Sequence, residues 1–181
     1  MRLEASLRAN EQLRRGKLLP QSMWSHPPRS RRRWHTLREY LLMFLFAVQV
    51  IAAGAPFTCT PTHVWDGDGP IWCAEGPRVR ISGIAAREID GTCRSNQPCP
   101  EASAVSARDA LVRLLGGPRG TITSGHIIVR FGPMACRSTG SAGGDRTAAW
   151  CTLPSGRDLS CAMLATGTVL RWQRYWGDHR C

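Results

Sequence analysis

Between Thr58 and Trp176, apolar and polar positions alternate in short, strand-length runs broken by dense turn signals. Thr58 to Val64 reads as a first strand, and Asp66-Gly67-Asp68-Gly69 behind it combines common turn formers. Ile71-Trp72-Cys73 continues as a second strand, and Arg78 to Ile84 alternates as a third. Pro100-Glu101-Ala102-Ser103 opens a helix, with Ala104, Ala107, Leu111, Leu114 and Leu115 at helical spacing and Gly116-Gly117-Pro118 ending it. Thr121 to Phe131 is predicted as a fourth strand and Thr147 to Leu153 as a fifth, stopped by Pro154-Ser155-Gly156. Asp158 or Ser160 caps a last helix carrying Ala162, Met163, Leu164 and Ala165.

The chain ahead of these runs has a different character. Residues 1–38 are rich in Arg, Ser and Pro without apolar periodicity and are predicted to be disordered. Residues 39–55 hold an apolar run from Tyr40 to Ala53, preceded by Arg29, Arg31, Arg32, Arg33 and Arg38 and followed by Ala53-Gly54-Ala55, which fits an A-x-A cleavage signature. The run falls short of the roughly 20 residues of a comfortable membrane span. A signal peptide cleaved after Ala55 is the first expectation, and a short anchor touching the membrane through residues 40–55 is the second. The long basic lead also admits a true start at Met23. Residues 56–181 then form the exported domain, secreted or periplasmic, or membrane-anchored and facing outward.

Charge adds a restriction. Of the formal +11, +7 belongs to residues 1–55; the domain has fourteen Arg, no Lys and ten carboxylates, +4. Overall basicity therefore says little about nucleic-acid binding by the domain. All eight cysteines follow residue 55, which points to an oxidising compartment. The absence of a CxxC pair argues against a zinc ribbon or a thioredoxin-type site. Cys59 and Cys73 lie equidistant from the turn at Asp66, and Cys136 and Cys151 are centred on Gly143-Gly144, so each pair is placed to bridge two strands. Cys93 and Cys99, enclosing a loop with Asn96 and Pro98, are predicted to bond to each other.

Five strands with one helix between the third and fourth, and a C-terminal helix, is the order of the OB-fold: α+β, mainly β, a small five-stranded barrel. Four motifs in order carry a resemblance over about 110 residues: Asp66-Gly67-Asp68; Arg80-Ile-Ser-Gly-Ile-Ala-Ala-Arg-Glu88; Pro100-Glu-Ala-Ser103; and Asp145-Arg146-Thr-Ala-Ala-Trp-Cys151. Together they resemble the staphylococcal nuclease (thermonuclease) family. The resemblance implies a Ca²⁺-assisted nuclease, a monomer acting on DNA or RNA. Asp68 would be a calcium ligand, Glu88 the general base that activates water, and Arg80 and Arg146 the grip on the phosphate. Phosphodiester hydrolysis develops charge on phosphoryl oxygens, which guanidinium forks and a divalent cation stabilise, while a carboxylate takes the water's proton.

The sequence departs from the family's pattern at Ala85, where a second calcium-binding Asp is expected, and at Gly69, where Thr or Ser is common. The stretch after Trp176 is also too short for the family's further helix. Loss of one carboxylate implies weaker metal binding. It also gives weight to a second reading, an inactive OB-fold module that binds nucleic acid or protein in the cell envelope. A disulfide-stapled structural protein is the third. Trp65, Trp72 and Trp150 read as core or barrel-face residues, with base stacking as the other role aromatics take in OB-folds. Trp172, Tyr175 and Trp176 read as core closure, and His63, His126 and His179 as structural or exposed. Glu88 has Arg87 and Arg78 as candidate ion-pair partners.

Overall fold

Only two of the five predicted strands survive without a break. A computed structural model describes residues 50–181; the segment 1–38 and most of the apolar run lie outside the described residues. The elements are β1 (Pro56–Cys59), β2 (Pro61–Val64), β3 (Ile71–Cys73), β4 (Arg78–Ile81), β5 (Ile84–Ala85), α1 (Ala104–Leu114), β6 (Pro118–Thr121), β7 (Ile127–Val129), β8 (Met134–Ser141), β9 (Arg146–Thr152), α2 (Leu159–Leu164), β10 (Leu170–Arg171) and α3 (Gln173–Trp176). The domain is mainly β, as expected.

The predicted first strand divides at Thr60. Its N–H and hydroxyl both turn to Glu75, at 2.8 and 2.6 Å, and Pro61 beyond it has no N–H to give to a ladder. Eight strands form one sheet in the order β1-β8-β9-β4-β3-β2-β7-β6, antiparallel except for the parallel pair β4–β9. β1 and β2 are one residue apart in the chain yet five places apart in this order. A sheet can satisfy both only by curling back on itself, and it does so strongly. Inside the curl, Val64, Ile71, Val79, Ile81, Met134 and Ala149 are buried, and Leu111 of α1, Leu115 at its C-terminal cap, and Leu159 and Met163 of α2 cover them.

The other expectations are corrected locally. The third strand is interrupted after Ile81, and its far end, β5, pairs with β10 instead of the main sheet. α1 begins after Ser103, not at Pro100: the Ser103 hydroxyl accepts from the Ser106 N–H at 3.1 Å and so caps the helix. The predicted fourth strand is the hairpin β6–β7. The long partner of β9 is β8, where Met134, Cys136 and Ser138 point inward. For α2 the cap is Asp158, which accepts from the Cys161 N–H at 2.9 Å.

The three expected disulfides are present, Cys59–Cys73, Cys93–Cys99 and Cys136–Cys151, and a fourth joins Cys161 to Cys181. Four disulfides and no free cysteine fit an oxidising extracellular or periplasmic environment. No helix among the described residues is long and apolar enough to cross a membrane.

Candidate functional site

The turn Asp66–Gly69 is pressed between α1 and β4, which accounts for its glycines. A Cβ on Gly67 would lie 2.3 Å from the Ala107 Cβ. Gly69 has φ +109°, and a Cβ there would meet the Val79 carbonyl oxygen at 2.6 Å. The Thr or Ser expected at position 69 therefore has no room in this turn. Packed this way, both carboxyl groups are buried: Asp66 is 4 % exposed and Asp68 2 %. The Asp68 N–H donates to Asp66 Oδ1 at 3.1 Å.

Asp68 is the anchor of the site. Its Oδ2 accepts from Arg80 Nη2 at 2.5 Å and from the Ala86 N–H at 3.0 Å. The carboxylate thus ties the first turn to β4 and to the backbone that leads to Glu88. Burial raises the pKa of both acids. Asp66 is pushed from 3.8 to about 8, first by burial and then by the Asp68 charge beside it. Asp68 is pulled back by Arg80 and the Ala86 N–H. The guanidinium rests on Asp68 and not on Asp66, so the two adjacent acids have unequal surroundings.

Glu88 lies near enough for its charge to raise both aspartates, but its ion pair is with neither Arg87 nor Arg78. Its carboxylate meets the Arg94 side chain, with Nε at 2.7 Å from Oε1. Arg87 is turned to the carbonyls of Gly91 and Pro100 at 2.9 and 2.8 Å, and Arg78 pairs with Asp145 at 2.8 Å. Arg146 stands opposite Arg78 in the β4–β9 register, its fork on the carbonyls of Ala142 and Gly143. Parallel neighbours at 78/146 and 80/148 put three guanidiniums on one face of the sheet.

Above that face opens a cleft of about 400 Å³ whose lining includes Arg80, Arg94, Gln97, Thr139, Trp172 and Tyr175. No motif or periodicity marks Arg94 and Gln97 for this cleft, because only the fold brings their loop beside β4. Of the residues expected to close the core, Trp176 does so at 3 % exposure. Trp172 and Tyr175 wall the cleft instead, with the Arg80 guanidinium 5.8 Å from the Trp172 ring. Trp65, Trp72, His63 and His126 cluster on a half-buried face, Trp72 edge-to-face with His126 at 4.4 Å. His126 is held below the ordinary imidazole range by burial, then by the neighbouring His63 and Arg78.

The donor set bears on the implied cation. Asp66 and Asp68 are two neighbouring buried carboxyl groups, and a hard cation is one way to relieve the repulsion between them. Asp66 Oδ2 and Asp68 Oδ1 take no hydrogen bond among the described residues. Ala85 supplies no side-chain oxygen, being fully buried and paired with Leu170. The residues present thus offer a hard cation two carboxyl groups and no third side-chain oxygen from position 85, a sparse donor set. Elsewhere Asp158, Cys161 and His179 converge within 4.8 Å, but Cys161 is in a disulfide and offers no thiolate. No family model, no curated protein and no solved structure matches this chain.

Proposed function

We propose that residues 56–181 are an OB-fold nuclease domain of the staphylococcal type, hydrolysing phosphodiester bonds of single-stranded DNA or RNA. Support for the barrel comes from the strand order β2-β3-β4-β9-β8-β1, with β1 and β2 as the two halves of one broken strand and β4–β9 parallel. The observation that carries the function is the buried Asp68–Arg80 pair at the cleft, with Glu88 tied to the same turn through Ala86. Arg80 and Arg146 offer guanidinium forks to the phosphate, and Asp68 holds Arg80 in place. Glu88 takes a proton from a water whose oxygen attacks phosphorus; the bond from phosphorus to the leaving sugar oxygen breaks, and that oxygen gains a proton from solvent. Asp66 and Asp68 would hold Ca²⁺, which supplies charge stabilisation at the phosphoryl oxygens.

The test is cleavage of heat-denatured DNA by the oxidised full-length protein in detergent, with millimolar Ca²⁺ or EDTA. Cleavage is expected with Ca²⁺ only, and Glu88→Gln should lower it by roughly 10²–10⁴-fold. Intact DNA in every lane from a folded protein would sink the enzyme. The buried, oxygen-free side chain of Ala85 favours one second reading, a binding module of the cell envelope. Salt-dependent DNA binding without turnover would be its signature.

The apolar segment bears on localisation. Ile51 N–H donates to Thr147 Oγ1 at 3.0 Å, Ser138 Oγ donates to the Ile51 carbonyl at 2.8 Å, and Gly54 and Ala55 bond the Ser138 backbone. Thr147 and Ser138 are buried. Cleavage after Ala55 would strip both hydroxyls of these partners, so our reading is a domain that keeps residues 51–55. N-terminal sequencing of the exported protein should find a start upstream of Ile51; a start at Pro56 would refute that reading.

A further inference from the structure

The segment after Glu88 is largely exposed but is held at several points. Cys93–Cys99 closes a loop six residues apart in sequence. Within it Asn96 adopts φ +62°, a left-handed conformation unusual for a residue with a side chain, and this turn delivers Gln97 inward. Gln97 is 8 % exposed, and its Nε2 donates to the Ala86 carbonyl at 2.6 Å. The N–H of that same residue is the one Asp68 holds. At the other end, Arg94 reaches back to Glu88, with Nε at 2.7 Å from Oε1 and Nη2 at 3.3 Å from Oε2. Glu88 itself is fixed by its N–H on the Thr92 carbonyl at 2.9 Å and its carbonyl on the Gly91 N–H at 2.8 Å. Arg94 and Gln97 both line the cleft.

The Arg94–Glu88 pair is an unusual choice for mere stability. Arg94 is 55 % exposed, and exposed ion pairs contribute little. A two-point contact does fix where a carboxylate points, and a base acts only from a fixed geometry. We propose that the Cys93–Cys99 loop is part of the catalytic apparatus, with Arg94 as a positioning residue for Glu88 whose own place is set by the disulfide and by Gln97. This rests on the nuclease reading. Arg94 also brings a further positive charge to the cleft that holds Arg80, where a bound phosphate would lie.

The experiment compares the full-length wild type with Arg94→Ala, Arg94→Lys and the pair Cys93→Ser/Cys99→Ser, on a single-stranded oligonucleotide with Ca²⁺. For Arg94→Ala, kcat is expected to fall roughly 10–100-fold with KM within a few-fold. Arg94→Lys and added free guanidinium should each restore part of the rate. The serine pair should lose rate in the same sense. Amide hydrogen exchange at Glu88 and Gly91 is read in parallel, and should quicken in Arg94→Ala and in the serine pair. Rates within twofold of wild type for Arg94→Ala would overturn the proposal, as would a gain in activity, which would make Arg94 a mask over Glu88. If the wild type does not cleave, the nuclease reading fails on its own. Exchange then decides: faster exchange at Glu88 and Gly91 upholds the coupling, and unchanged exchange overturns it.

Discussion

Replacing Arg80 by methionine is expected to cost the domain about 3–5 kcal/mol, the range for breaking a buried ion pair from one side. Asp68 has a side chain only 3 % exposed, and no other cation contacts it among the described residues. Without the guanidinium the buried carboxyl group keeps the Ala86 N–H as its one hydrogen-bond partner among the described residues. Urea unfolding at pH 7 measures the loss, and the double variant Arg80→Met/Asp68→Asn should recover a large part of it. A single variant within 1 kcal/mol of wild type would mean that Asp68 does not depend on Arg80. Because Arg80 is also a proposed phosphate contact, Arg80→Lys separates the two roles: it keeps the buried charge and loses the fork.

Asp66→Asn should act in the opposite direction, and more so as pH rises. With its pKa raised from 3.8 to about 8, Asp66 holds a proton in the folded state at pH values where the unfolded chain has released it. The stability that goes with this proton is complete below pH 4 and falls as pH climbs toward 8. Asparagine keeps the Oδ1 that accepts from the Asp68 N–H and cannot ionise. The variant is therefore expected to be more stable than wild type above pH 8, by roughly 3–5 kcal/mol, with the slope between pH 4 and 8 flattened. Denaturant unfolding at pH 5 and pH 9 checks it; parallel stabilities at both would refute the burial of a proton at Asp66. Added Ca²⁺ should offset the high-pH loss in wild type alone.

What could be read from the sequence was short in range. The turn at Asp66–Gly69, the three bridged cysteine pairs and the Asp158 cap each depend on residues close in the chain. At Thr60 the chain showed only Pro61 as a warning of the break; the other cause, a hydrogen bond to Glu75 fifteen residues on, is not local and could not be read. β8 escaped because its inward positions are Met134, Cys136 and Ser138, and Ala135, Thr139 and Gly140 between and after them give a weak alternation. For the site, the family resemblance named Asp68, Arg80, Glu88 and Arg146, and the structure gathers the first three around Ala86 while Arg146 stands on the neighbouring strand. Spacing could not say that Glu88 answers to Arg94, since a charged residue in a loop has no periodicity to betray its partner.

The disulfide pattern has a consequence for how the chain is made. Every bridge joins one cysteine to the next in sequence, Cys59 to Cys73, Cys93 to Cys99, Cys136 to Cys151 and Cys161 to Cys181. Eight thiols admit roughly one hundred complete pairings. For a polypeptide threaded N-terminus first into an oxidising space, simple order of arrival selects the native one, because each sulfur meets its correct partner before any wrong partner beyond it has emerged. A connectivity of this kind needs no reshuffling afterwards, so its formation is a matter of oxidant supply and not of isomerase activity.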